Sequence, residues 1–175
     1  MDNTRHMTLE DIRTDIKLIL SNVYDPEIPV LSLHDLGVLR EVEVIAAGKD
    51  PRVRITVTPT YSGCPALDVM KMQIRMALLE KGYSDVEIIE SLSPAWTTDW
   101  MSPEGREKLK AYGIAPPQPT QSVCDLNLFQ QEEAIPCPRC NSIHTRMISR
   151  FGSTPCKSLY SCSDCHEPFD YFKCH

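Results

Sequence analysis

The sequence predicts an α+β (α/β) fold, in which helices cover a small mixed sheet and a smaller cysteine-rich β module follows. Three observations support this prediction. Helical and strand periodicities alternate in the order helix, strand, strand, helix, strand over the first half of the chain. A proline-rich stretch interrupts the pattern near residue 115, and two Cys-x-x-Cys pairs follow it. We therefore divide the chain into a first domain (1–92), a connecting segment (93–133) and a terminal module (134–175).

Composition and charge narrow the class of protein. The chain has 175 residues and a net charge of −6. Residues 137–175 carry a net charge of +2, so the remainder carries −8, which argues against a nucleic-acid partner. No apolar run approaches the length needed to span a membrane, and the polar N-terminus contains no signal peptide. We expect a cytoplasmic protein that binds neither nucleic acid nor membrane.

The first helix should begin at Thr8, with Asp11 three residues later in the pattern of a capping box. It should stop before Asp25-Pro26, because the residue before a proline is disfavoured in helical conformation. The two prolines and the glycine of residues 25–37 indicate a shaped loop. Residues 38–46 and 52–58 then read as strands that pair as a hairpin, with a turn over 48–51.

The segment Thr58-Pro-Thr-Tyr-Ser-Gly-Cys-Pro65 lies between the second strand and the second helix. Pro65 suits the first helical position, which would place Cys64 at or beside the N-cap. Backbone N–H groups and the helix dipole would favour the thiolate there, the form that binds metal or attacks an electrophile. A small buried capping residue is the alternative interpretation. The helix should run to about Lys81, and a third strand should include Val86.

The connecting segment contains both tryptophans, Trp96 and Trp100, which form either a docking surface or part of the core. Residues 103–112 read as a short polar helix that ends at Gly113. The proline-rich residues 115–120 should form an extended linker. Residues 121–133 show no decisive pattern.

Six of the eight cysteines lie in the terminal module, which points to metal or thiol chemistry in a reducing compartment. Two Cys-x-x-Cys pairs, separated by 21 residues, can present four thiolates in a tetrahedron. A segment of about 40 residues needs such a metal to fold. We expect structural zinc, with redox dithiols or an iron–sulfur cluster as alternatives. The expected ligands are Cys137, Cys140, Cys162 and Cys165.

Three further residues exceed the needs of one tetrahedral site: Cys156, Cys174 and His175. They are either packing residues and a free tail, or a second thiol or metal site. His166 directly follows an expected ligand and reads as its exposed neighbour.

Residues 25–44 (DPEIPVLSLHDLGVLREVEV), followed by TPTYSGCP, resemble the MIP18/DUF59 family of iron–sulfur cluster assembly proteins over about residues 8–92. The WTTDW, GIAPP and CPRC segments, with the cysteine-rich end of the chain, are similar to one branch of that family, which acts in aerobic phenylacetate degradation. The resemblance implies an iron–sulfur-cluster-assembly-like domain with a zinc-ribbon-like module. It also implies a role in activating the phenylacetyl-CoA ring epoxidase, whose components include a di-iron oxygenase and an iron–sulfur reductase.

The resemblance places the functional cysteine at Cys64, the acidic loop at Asp25 and Glu27, and the threonines at Thr58 and Thr60. Cys64 would offer a thiolate to iron, and an acidic residue would accept a proton or add an oxygen ligand. The alternatives are a turn role for Asp25 and ordinary strand propensity for the threonines. Clusters usually take four thiolates, so Cys64 would need a homodimer mate, a client ligand or the tail cysteines.

The leading hypothesis is a maturation factor without catalytic activity of its own, which holds iron or a cluster transiently and supports the epoxidase. Its partners would be the di-iron oxygenase or the iron–sulfur reductase subunit. The alternative is a structural or docking subunit of the epoxidase with zinc as its only metal. A thiol–disulfide oxidoreductase is a third hypothesis, but the module lacks the expected βαβ context.

Overall fold

Two β-sheets and three helices make up the fold in a computed structural model, which describes residues 8–46, 48, 50–118 and 135–173. A short 3-10 turn covers Thr98–Trp100. The elements in chain order are α1 (Leu9–Leu20), β1 (Leu39–Ala46), β2 (Arg52–Val57), α2 (Leu67–Glu80), β3 (Val86–Glu90), α3 (Pro103–Tyr112), β4 (Ile114–Ala115), β5 (Thr145–Ser149), β6 (Lys157–Cys162) and β7 (Pro168–Phe172).

The first sheet has the strand order β1-β2-β3. β1 and β2 pair antiparallel, as the predicted hairpin requires, and β3 runs parallel to β2 after the α2 crossover. Val53, Ile55 and Val57 of β2 are buried, because the central strand alternates between core and outer face. The predicted mixed α+β architecture is confirmed.

Local capping signals locate two helices correctly. The Thr8 hydroxyl accepts a hydrogen bond from Asp11 N–H while the Asp11 carboxylate accepts one from Thr8 N–H, which completes a capping box. The α3 helix begins after the Ser102 cap and ends at Gly113, which has φ +92°. Both helices therefore begin and end where side-chain chemistry satisfies their terminal backbone groups.

The start of α2 differs from the sequence prediction. Its N-cap is Ala66 and its first residue is Leu67, so Cys64 lies two residues before the cap and Pro65 is not at the first helical position. The Cys64 carbonyl still accepts a hydrogen bond from Leu67 N–H at 3.2 Å. Residues 63–66 form turns that precede the helix, and this shifts Cys64 away from the helix axis.

The loop of residues 21–38 is part of the core rather than a linker. It buries Ile28, Leu31, Leu33 and Leu36. Asp35 holds the loop to α3, since its carboxylate accepts hydrogen bonds from the Ser32 backbone and hydroxyl, from Ser102 and from Lys108. The loop is consequently fixed at both of its faces.

The second sheet has the order β4-β7-β6-β5 and forms the terminal module, here called the ribbon (residues 135–173 with β4). The predicted linker begins differently from expectation, because Ala115 pairs with Tyr171 in a parallel ladder with β7. The rest of that linker beyond residue 118, residues 121–133 and Cys124 lie outside the described residues.

The ribbon and the first domain share packing. Phe172 of β7 is 1% exposed and belongs to the same buried cluster as α1 and β2. Its ring lies 6.0 Å from the Trp96 ring in an edge-on arrangement. Trp96 is therefore core and not a docking surface, and its indole N–H donates to the Leu36 carbonyl at 2.9 Å. Trp100 is half-buried beneath the Arg40 guanidinium.

Candidate functional site

Four cysteines of the ribbon form a preorganised metal site. The sulfur atoms of the predicted set lie within 4.8 Å of one another. Cys137 Sγ is 3.7 Å from Cys165 Sγ, and Cys140 Sγ is 3.6 Å from Cys162 Sγ. A zinc–sulfur distance of about 2.3 Å gives a tetrahedron with edges of roughly 3.8 Å. The donor set therefore fits a tetrahedral zinc ion.

The turns at the two Cys-x-x-Cys pairs aim backbone N–H groups at sulfur. The N–H groups of Cys165 and Asp164 lower the pKa of Cys162 to about 6. The residue after each pair, Asn141 and His166, has positive φ (59° and 61°), which turns the chain back after the second ligand. His166 is exposed, as expected for a neighbour of a ligand. This geometry favours thiolate and thus metal.

The surplus cysteines do not gather at the ribbon metal site. Cys156 is the residue before β6, and it lies at the boundary with the first domain instead. Cys174 and His175 fall outside the described residues. The redox interpretation loses support as well, because the two pairs face each other across one tetrahedron.

A second site lies where the ribbon meets the first domain. A cavity of about 30 Å³, measured as space for the centres of water-sized spheres, opens beside Cys64. The first domain contributes Asp25, Glu27, Thr60, Tyr61 and Cys64 to its wall. From the ribbon come Thr154, Pro155, Cys156 and Phe172. The space is enough for about two water-sized occupants and too small for an organic substrate.

The Cys64 thiol experiences opposing effects. Burial raises its pKa, and the negative charge of Asp25 acts in the same direction. The N–H groups of Ala66 and Leu67 and the Tyr61 hydroxyl lower it. Burial prevails and the pKa is raised, so the expectation that the helix start favours the free thiolate is wrong. The resting group is a thiol that must lose its proton to bind a metal.

Asp25 has the turn role that its position before a proline indicates. Its Oδ1 accepts hydrogen bonds from Glu27 N–H and Ile28 N–H, both at 2.8 Å. Burial raises its pKa, while those two N–H donors act against the rise. In the described part of the chain, no donor reaches the other oxygen, Oδ2. The turn therefore leaves one carboxylate oxygen of a 6%-exposed side chain available at the cavity wall.

The remaining predicted residues are distributed around Cys64. Thr60 and the exposed Glu27 line the cavity, whereas the buried Thr58 lies outside the wall and binds Val38 O through its N–H. Sequence reasoning does not assign Tyr61, although it lies in the same motif, three residues before Cys64. The charge and hydrogen bond of Cys64, added to burial, raise the pKa of Tyr61 to about 12. Tyr61 therefore remains a hydrogen-bond donor.

Comparison with known proteins agrees with this two-part architecture. Residues 13–88 match the family described as "Iron-sulfur cluster assembly protein", and residues 122–173 match the "PaaD zinc beta ribbon domain". A relative from Escherichia coli K12 is 49% identical over 160 residues, which cover 91% of this chain and 92% of the relative. Its provisional name makes it one of the subunits of 1,2-phenylacetyl-CoA epoxidase.

The first domain also has shorter relatives. The "Fe-S protein maturation auxiliary factor" of Porphyromonas gingivalis is 41% identical over 96 residues, or 54% of this chain and 88% of that protein. A crystal structure of a DUF59 domain from Bacillus anthracis superposes with a TM-score of 0.52 at 22% identity, covering 58% of this chain and 93% of that one, which shows a shared fold.

The fold and the two sites thus define a member of the DUF59 class of iron–sulfur cluster assembly proteins. More particularly, the chain belongs to the branch of that family in which a PaaD zinc beta ribbon follows the assembly domain. Its role is accordingly related to iron–sulfur assembly. Across the described ranges, no helix has the length and apolarity needed to cross a membrane.

Proposed function

We propose that the chain is a maturation factor that holds iron or an iron–sulfur cluster transiently at Cys64 and passes it to a client. The observation that carries the proposal is the cavity in which a half-buried thiol lies beside the available oxygen of Asp25. Thiolate and carboxylate together suit ferrous iron, and an incomplete protein ligand set suits release. The names of the Porphyromonas gingivalis relative and of the matched family support a role of this kind.

The client that we propose is a component of the phenylacetyl-CoA ring epoxidase. The name of the Escherichia coli relative supports this choice, and the match spans nearly the whole of both chains. The di-iron oxygenase and the iron–sulfur reductase of that enzyme both need a metal centre, so either is a suitable acceptor. The reaction of the epoxidase itself would belong to those components.

The ribbon serves the proposal as a structural metal site. All four sulfurs are used in one tetrahedron, which leaves no open position for substrate or cargo. Zinc there would fix β6 and β7, and through Phe172 and Cys156 it would fix one wall of the Cys64 cavity. Chemistry is therefore assigned to Cys64 and folding to the ribbon.

Growth on phenylacetate tests the proposal in a host that lacks its own copy of the gene. The intact chain should restore growth and epoxidase activity, and Cys64→Ser should restore neither while the chain keeps about one zinc per molecule. A Cys64→Ser chain that restores full activity would favour the alternative, a structural subunit of the epoxidase. That alternative also predicts stoichiometric co-purification with the active enzyme.

A further inference from the structure

The cavity beside Cys64 has two cysteines on its wall, and they come from different parts of the chain. Cys64 precedes α2 in the assembly domain, and Cys156 precedes β6 in the ribbon. Both side chains are half-buried. More than half of the sequence separates the two residues, so only the docking of the ribbon brings their thiols to one space.

Cys156 is held in place by its neighbours. Its carbonyl accepts a hydrogen bond from Lys173 N–H at 3.0 Å, and its Sγ lies 3.0 Å from Thr154 Oγ1. Burial raises the pKa of Cys156, and the charges of Asp25 and Cys64 raise it further against the effect of Lys157. The three groups that face the cavity are therefore close enough to influence one another's ionisation.

A cation would relieve the conflict among these groups. Two thiols and one carboxyl around a small buried space repel each other when ionised, and none of them has an ion pair among the described residues. The Asp25 turn leaves Oδ2 without a donor, while Thr154 and Tyr61 each support one sulfur. The lining thus offers two soft donors and one hard donor to a single ion.

We propose that Cys156 of the ribbon is the second thiolate ligand of the Cys64 site, and that the cavity binds one thiophilic divalent cation through Cys64 Sγ, Cys156 Sγ and Asp25 Oδ2. The inference rests on the proposed function and names the ligand that a single cysteine lacks. Binding releases the two thiol protons to solvent, and a solvent molecule fills the fourth position. Closure of the cavity over the ion then couples the ribbon to cargo.

The four ribbon sulfurs are already gathered within 4.8 Å, and the cavity donors are not part of that group. Loading the cavity therefore requires side-chain rotation, and we expect it to bind metal more weakly than the ribbon does. This order of affinity allows the two sites to be studied separately. Zinc fills the ribbon first, and the cavity is then titrated with a second ion.

Cobalt titration tests the inference on the full chain. Protein with one zinc per molecule is titrated anaerobically with Co²⁺, and the thiolate-to-cobalt charge-transfer absorption is recorded. Cys156→Ser should weaken Co²⁺ binding by at least about tenfold, since even outer-shell changes cost roughly 10- to 100-fold. It should also reduce the charge-transfer intensity, as Cys64→Ser should. Asp25→Asn keeps the Oδ1 acceptor and should weaken binding while the absorption per bound ion stays the same.

Two controls separate local from structural effects. Ser153→Ala changes the same turn but not the cavity wall and should bind Co²⁺ as the intact chain does. Zinc content should stay at one per chain in every variant, and Cys156→Ala provides a second test if the serine variant folds poorly. Wild-type affinity and intensity in Cys156→Ser, with loss only in Cys64→Ser, would overturn the inference and leave the proposed function intact. Absence of Co²⁺ binding in the intact chain, or a Cys64–Cys156 disulfide in freshly isolated protein, would also overturn it, and client maturation then tests the proposed function independently.

Discussion

At the scale of single residues, the chemistry of Cys64 depends on the balance between burial and donors. Burial raises its pKa more than the N–H groups and Tyr61 lower it. A buried thiol that ionises only when metal arrives is protected from oxidants and alkylating agents while empty. This property suits a site that is loaded and unloaded repeatedly.

We predict that Tyr61→Phe raises the pKa of Cys64 further. The variant removes the hydroxyl that donates to sulfur, so the thiolate loses one stabilising contact. Alkylation of Cys64 at about pH 8, followed by mass spectrometry of the peptide, should become several-fold slower. Tyr112→Phe, at a 53%-exposed position, should have no effect. Faster alkylation in Tyr61→Phe would show that the ring shields the thiol rather than stabilising its anion.

Asp35 gives a second residue-scale prediction, on stability. Burial alone would raise its pKa, but hydrogen bonds from Lys108, Ser32 and Ser102 prevail and lower it from 3.8 to about 2. A lowered pKa stabilises the fold above pH 3.8, and this contribution is lost as the pH falls through about 2. Asp35→Asn should therefore cost about 2 kcal/mol in free energy of unfolding near neutral pH.

Chemical denaturation at several pH values checks that prediction. The difference between the intact chain and Asp35→Asn should shrink as the pH falls below 3.8. Asp68→Asn, at a side chain that is 94% exposed, should change the free energy of unfolding by well under that amount. A difference that stays constant down to about pH 2 would contradict the assigned pKa.

At the scale of elements, the sequence predicts what local signals control. The capping box at Thr8, the Gly113 helix end and the period-two pattern of β2 all depend on residues close in sequence, and the structure confirms each of them. The predicted start of α2 is wrong by two residues, because Pro65 suits a turn as well as a first helical position. The pairing of β4 with β7 joins strands from opposite sides of residues 116–167, and no local pattern reveals such a contact.

The Asp-Leu-Gly turn shows why one glycine is required at the loop. Gly37 has φ +70°, and a Cβ there would lie 2.7 Å from Trp100 Cβ and would overlap the Trp100 carbonyl oxygen. Gly82 also has positive φ but has open space around it. We predict that Gly82→Ala costs about 1–2 kcal/mol in free energy of unfolding, and that Gly37→Ala costs several times more. Equal losses, measured by urea denaturation, would show that only backbone conformation matters at Gly37.

The ribbon gives a prediction about metal removal. Cys162→Ser takes one thiolate from the tetrahedron, so the chain should lose its zinc and amide protection in β5, β6 and β7. Ser163→Ala, at the exposed position beside it, should keep one zinc per chain. Metal analysis with hydrogen exchange measures both effects. A folded ribbon without metal in Cys162→Ser would contradict the structural role of the site.

At the scale of the whole molecule, the ribbon is built into the assembly domain. Phe172 packs against Trp96 within the main core, and Cys156 completes the wall beside Cys64. The sequence predicts both sites separately, since each has its own motif. It does not predict that the two modules meet at Cys64, because Cys156 and Asp25 are joined only by tertiary packing. That meeting links a structural metal site to a site for cargo.

The most direct measurement of the central claim is the iron and acid-labile sulfide content of the client. The iron–sulfur reductase of the phenylacetyl-CoA epoxidase would be isolated without oxygen from cells that carry either the intact chain or Cys64→Ser. We predict a normal cluster content with the intact chain and a severalfold deficit with Cys64→Ser, although the variant keeps its zinc. Full iron and sulfide in the reductase, together with full iron in the di-iron oxygenase, from the Cys64→Ser cells would contradict a role for this site in maturation.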